Sequence, residues 1–195
     1  MMKNVKLLIT ALVVVIASVA SAQESVKIKE GQTLLYKINE YDGPVDQLVT
    51  LTSLASPMKI SWNKKNKYDD KGTFLILKAA LENAINIIFS FPINSNDDEL
   101  SDVLPGFIVS KKMFNELKSA KKTKLRAGCE LKADDLVLKG EQPMYIIING
   151  KKTIVNTLNV TWGTFGDEMW ILDNADYPII VKVSAISKYE LTEIK

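Results

Sequence analysis

Asn149-Gly150 separates two apolar-rich runs, Met144 to Ile148 and Lys151 to Trp162. A type I′ two-residue hairpin turn needs positive φ at both positions, and Asn-Gly is the pair that adopts it most readily. Such a turn pairs Ile148 with Lys151 and Tyr145 with Ile154. That register predicts one buried face carrying Tyr145, Ile147, Ile154, Leu158, Val160 and Trp162. Thr153, Thr157, Asn159 and Thr161 fall on the other face, toward water. Period-two alternation over this length belongs to a sheet with a single buried side.

Downstream, Gly163 and Gly166-Asp167 mark a turn into Glu168 to Leu172. Asp173 to Asp176 turns the chain again, Pro178 opens Ile179 to Val183, and Lys188 to Ile194 forms a last strand. Short strands joined by Gly, Asn and Asp turns predict an antiparallel meander. In the N-terminal half, Thr33 to Glu40 and Gln47 to Ser53 are strand-like around Asp42-Gly43-Pro44. Lys59 to Trp62 follows, and Asn63 to Gly72 reads as a long polar hairpin loop. Leu77 to Ala84 holds good helix formers, with Leu77, Leu81 and Ala84 on one face, and runs into an alternating strand from Ile85 to Phe91. Ser110 is a favoured N-cap for a helix over Lys111 to Ser119, whose Met113, Phe114 and Leu117 share a side. The expected fold is therefore mainly β (α+β): a curved antiparallel sheet, half-barrel or sandwich with one or two short helices.

The N-terminus constrains location rather than fold. Lys3 and Lys6 precede an apolar run from Leu7 to Ser18, and Ala20-Ser21-Ala22 supplies the small residues of a cleavage site. The run is shorter than the ~20 apolar residues a spanning helix needs. Residues 1–22 read as a secretory signal peptide, and taking 22 from 195 leaves 173 for one β-rich domain, 23–195. Cleavage also removes two of the 25 lysines and arginines, leaving 23 against 23 acids. That balance implies neither nucleic acid nor an anionic membrane as partner. Cys129 is the only cysteine, so an internal disulfide is excluded; it lies too far from the cleavage site to be a lipid anchor. The expected location is periplasmic or extracellular, with no transmembrane span after cleavage.

The chain contains no histidine, which removes Ser-His-Asp and Cys-His mechanisms and the usual zinc sites. Ser61-x-x-Lys64 matches the first motif of penicillin-binding serine enzymes, but the supporting Ser-Asp-Asn and Lys-Thr-Gly elements are missing. Asn94 to Asp102 is dense in oxygen ligands, yet the sixth and twelfth positions of a calcium loop hold Glu99 and Pro105. Lys111 to Arg126 is the densest basic stretch, read as a solvated surface before a binding patch. Paired carboxylates could hydrolyse a glycan without histidine, although no pair stands out. Asn159-Val160-Thr161 is a formal glycosylation sequon explained equally by a polar sheet face. No catalytic residue, metal or cofactor is assigned.

Trp62, Trp162 and Trp170 lie in or beside strands, where core packing is the ordinary explanation. The alternative is that the sheet curls around an apolar site bordered by Trp62, Phe89, Trp162 and Trp170. The order of segments, N-terminal strands included, carries a resemblance. The signal peptide, the Pro105 to Ser110 lead into a helix, and Ile171-Leu172-Asp173-Asn174 before Tyr177-Pro178-Ile179-Ile180 resemble certain exported β-rich bacterial proteins. More distantly, strands with short helices are similar to periplasmic lipoprotein carriers, which cradle acyl chains. The resemblance implies a β-rich envelope protein. The leading expectation is an exported, non-enzymatic binding or envelope-associated protein whose partner is an amphiphilic ligand or an envelope protein. A carboxylate-dependent glycan hydrolase and a structural or protein-interaction module are the alternatives.

Overall fold

The computed structural model describes residues 26–40, 43–65, 70–89, 98–128, 130–185 and 188–195. The first half contributes β1 (Thr33–Glu40), β2 (Gly43–Ser53), β3 (Met58–Lys65), β4 (Lys71–Ile76), α1 (Lys78–Asn83), β5 (Asn86–Ile88), β6 (Asp98–Leu100) and β7 (Val103–Pro105). The second contributes α2 (Lys111–Ala120), β8 (Lys122–Ala127), β9 (Asp134–Ile148), β10 (Lys151–Trp162), β11 (Asp167–Leu172), β12 (Ile180–Ser184) and β13 (Lys188–Ile194). All thirteen strands join one sheet in the order β6-β4-β3-β2-β1-β13-β12-β11-β10-β9-β8-β5-β7. The fold is mainly β with two short helices, as expected, but the sheet is mixed. β4–β6, β5–β7, β5–β8 and β13–β9 pair in parallel.

The N-terminal four strands keep a strict two-sided pattern. Leu34 and Tyr36, Val49 and Leu51, Met58, Ile60 and Trp62, and Phe74 and Ile76 are buried. Register aligns Val49, Trp62 and Gly72 in one cross-strand row and Leu51, Ile60 and Phe74 in the next. The indole of Trp62 lies across Gly72, where an added Cβ would stand 2.9 Å from Nε1. β3 runs three residues beyond Trp62, so part of the polar connection expected at 63–72 belongs to strands.

β9 to β13 form the expected meander, and a parallel contact of Glu193 with Ile147 and Ile194 with Ile148 closes it into a ring of pairings. The hairpin register is as predicted, with Ile148 opposite Lys151 and Tyr145 opposite Ile154; Asn149 and Gly150 have φ of 50° and 78°. The predicted face holds near the base, where Leu158, Val160 and Trp162 are buried. It fails toward the tip. There Ile146 and Val155 are buried while Tyr145, Ile147 and Ile154 are exposed, and Thr157, expected in water, is fully buried. The cause is ring closure: Ile194 pairs beside Ile148 and draws that face of the tip into the core.

β9 begins ten residues earlier than the Met144 run suggested. Pro143 is tolerated because β8 pairs with β9 only as far as Val137 and β13 only from Ile147, leaving Pro143 with a neighbour on one side. β8 lies within the stretch read as a basic surface. Its lysines point outward while Thr123 and Leu125 are buried.

Helix α2 starts at the expected cap, with Ser110 Oγ accepting from the Met113 N–H at 3.2 Å, and buries Met113, Phe114 and Leu117. The buried strap from Pro105 to Ser110 threads toward β12. Ile108 bridges Ile179, Val109 N donates to Pro178 O at 3.1 Å, and Phe107 packs 6.3 Å from Phe74. At Gly106 a Cβ would meet Ile88 O and Phe89 Cα at 2.9 Å. Tyr189 donates its hydroxyl to Gly106 O, Tyr36 donates to Ile180 O at 2.9 Å, and the two rings meet edge to face at 5.8 Å. Burial pushes both phenols well above their ordinary pKa, with the Tyr36 charge adding to the shift at Tyr189. Among the described residues no helix is long and apolar enough to cross a membrane. The expected signal peptide, Cys129 and most of the oxygen-rich loop at 94–97 lie outside the described residues.

Candidate functional site

The four aromatic residues singled out from sequence occupy separate places. Phe89 and Trp162 stack, with centroids 5.7 Å apart and planes at 15°. Trp170 pairs with Asn159 while Trp162 pairs with Asp167, and this odd–even offset puts the two indoles on opposite faces of the same strands. Trp170 Nε1 donates to Gln142 Oε1 at 2.9 Å, and Lys182 Nζ stands 5.4 Å from its ring centroid. Trp62 belongs to the core face of β3, three strands from β13. Only Phe89 and Trp162 are brought together, and all three tryptophans are at most 8% exposed.

Open space lies instead on the outer face of the N-terminal strands. The positions alternating with the core residues form two adjacent rows: Leu48, Asn63 and Lys71, then Thr50, Ser61 and Thr73. With Trp62 and Gly72 between them they line a groove of about 390 Å³. Its lining combines one aliphatic side chain, three hydroxyls, one carboxamide and one ammonium. Thr50 Oγ1 is 2.9 Å from Thr33 Oγ1, and Ser61 Oγ is 3.3 Å from Thr52 Oγ1, so hydroxyls of the face are already ordered by neighbours. Asn63 Oδ1 is buried without a hydrogen-bond partner, an acceptor left for a donor.

A second groove of about 440 Å³ crosses β1, β13 and β12 on the same face, lined in part by Lys37, Lys182, Lys188 and Glu190. Its charges are arranged in a cross-strand row that neutralises itself: Lys182 meets Glu190 at 3.4 Å and Lys37 meets Asp46 at 3.1 Å. The first groove is the one that holds a buried acceptor without a hydrogen-bond partner, Asn63 Oδ1.

Basic residues over 111–126, read from sequence as a solvated surface, are in part divided among acids. Lys111 pairs with Glu82 at 3.2 Å and Lys124 with Asp135 at 2.8 Å. Lys118 reaches both Asp173 at 3.0 Å and Glu141 at 3.1 Å. Partial burial draws the Lys118 pKa down, but its bonds to Asp173 and Glu141 outweigh that and hold it above the ordinary value. The hydrogen bond from Lys124 lowers Asp135. Among the described residues no three His, Cys, Asp or Glu side chains are grouped to hold a metal.

The groove residues were missed in sequence because a strand's wet face looks the same over a groove as over open water. Fold and groove define a β-sheet protein with a mixed-polarity surface cleft. No protein-family model, curated protein or solved structure matches the chain.

Proposed function

We propose that the protein is an exported, non-enzymatic binding protein that holds a small anionic amphiphile against the outer face of β2, β3 and β4. The observation carrying this reading is the groove lined by Leu48, Thr50, Ser61, Asn63, Lys71 and Thr73. Its volume falls within the ~300–1,000 Å³ of small-molecule sites. Its lining supplies what an amphiphile with a carboxylate or phosphate head needs. Lys71 opposes the head charge, the hydroxyls and Asn63 orient it, and Leu48 meets the chain. The signal-like residues 1–22 support export, and the lysine partners of Asp46, Glu82, Asp135 and Glu141 favour a binding role over carboxylate chemistry there. Trp62 lies on the core face behind this site, and Phe89, Trp162 and Trp170 serve packing.

The test is titration of the isotope-labelled protein with sodium decanoate, followed by amide chemical shifts. Saturable shifts centred on residues 48–50, 61–63 and 71–73, weakened at least fivefold by Lys71→Gln, support the reading. Shifts confined to other surfaces, or none up to the aggregation limit of decanoate, would sink it.

A further inference from the structure

We propose that the outer face of the β9–β10 tip docks the protein on an anionic lipid bilayer. Three large apolar side chains stand exposed on this face: Tyr145 at 61%, Ile147 at 41% and Ile154 at 44%. They are neighbours in the register, since Tyr145 lies opposite Ile154 and Ile147 opposite Lys152. The patch is preformed rather than loose. Asn149 N donates to Ile194 O at 2.8 Å, and the reverse face of the tip is packed through Ile146 and Val155. Surfaces held in place before contact lose less entropy on binding.

Charge selects the partner. Lys152 shares the face of the apolar trio, Lys151 stands at the turn beside it with its side chain assigned by the register to the reverse face, and neither belongs to an ion pair among the described residues. Lys152 instead sits 4.5 Å over the Tyr145 ring. The nearby acid, Glu193, is taken up by Lys195 at 3.1 Å. A chain whose total charge is close to balanced thus concentrates positive charge around one apolar projection. A second copy meeting this face would bring like-charged lysines together, whereas phosphate headgroups would neutralise them. Tyrosine suits the headgroup level, where one end of its ring is wet and the other apolar, and isoleucine suits the layer beneath. This inference uses a different surface from the groove and stands or falls without it.

The test is co-sedimentation of the purified protein with phosphatidylcholine vesicles and with vesicles containing one quarter phosphatidylglycerol. Binding is expected to the second kind and to weaken as salt rises. Tyr145→Ser, Ile147→Ser and Ile154→Ser combined should lower partitioning at least tenfold, and Lys151→Glu with Lys152→Glu by more than about fivefold per lysine. Tyr145→Trp provides a readout independent of the triple variant's folding, its emission shifting to the blue on anionic vesicles. No phosphatidylglycerol-dependent binding, or an unshifted Tyr145→Trp emission, overturns the proposal. So does a concentration-dependent dimer in solution that the triple serine variant abolishes.

Discussion

The N-terminal strands β1 to β4 and the C-terminal ring β9 to β13 are both built from short-looped antiparallel pairs, yet they spend their two faces differently. In β1 to β4 alternation is kept throughout. One face buries Leu34, Val49, Ile60 and Phe74, and the other is left polar and grooved. In the ring, closure of β13 on β9 makes both faces interior at different points. Met169, Trp170, Ile171 and Leu172 are buried in succession, and the hairpin changes its buried face near Thr157 and Leu158. An open sheet keeps a wet surface on which polar groups can converge. A closed one buries more, and strands a few apolar side chains on the outside where its faces exchange.

The sharpest way to break this comparison uses two residues of one strand. Leu158 and Ile154 share a face of β10 in the register, but Leu158 is fully buried and Ile154 is 44% exposed. Leu158→Ala is expected to cost about 2–5 kcal/mol, and Ile154→Ala under about 1 kcal/mol, in urea unfolding. Equal costs would show that the faces do not exchange.

Next in size are the two close approaches. Gly106→Ala forces a Cβ onto the backbone of Ile88 and Phe89, and about 1–3 kcal/mol should be lost. Gly72→Ala meets the indole of Trp62, a side chain able to shift, so it should cost less. Thermal denaturation of both variants orders them.

Between these and the smallest effects lies Gln47, on the core face of β2. It is 1% exposed, with neither amide atom partnered. Because an unpartnered buried amide forfeits its hydration, Gln47→Met should raise stability by about 1 kcal/mol. A loss in urea unfolding would mean the open sheet tolerates its polar core position for a reason of packing.

The pH dependence joins the two regions at Tyr36 and Tyr189. An unfolded tyrosine ionises near pH 10, while in the folded protein both are held above that. Protons are therefore released on unfolding once the pH passes about 10. Their contribution to stability is complete below that pH and is lost as pH rises toward the folded values. Urea midpoints at pH 8 and pH 11 should diverge, and Tyr36→Phe should narrow the gap.

Much of the fold was legible, for reasons specific to each element. Thr33 to Glu40 and the Asn149-Gly150 hairpin carry local alternation and turn chemistry, and Ser110 carries its own cap. The buried face of the hairpin tip was not local: it depends on Ile194, more than forty residues downstream of Ile148. β8 was hidden because Lys122, Lys124 and Arg126 drew attention to charge, while Thr123 and Leu125 between them held the alternation. The alternative of one apolar site bordered by the aromatic residues needed them to converge, but Trp162 and Trp170 differ by an odd–even step in the β10–β11 register. The groove needed three strands laid side by side before Leu48, Asn63 and Lys71 became neighbours.

The central claim is that the open sheet, not the closed ring, carries the ligand site. It is tested most directly by the decanoate titration read residue by residue across both regions. Saturable amide shifts at Leu48, Thr50, Ser61, Asn63, Lys71 and Thr73, with the interior of the ring unmoved, are the predicted result. Shifts centred on the Phe89–Trp162 stack or on Trp170 would contradict it, because they would place the ligand against aromatic packing away from the open sheet.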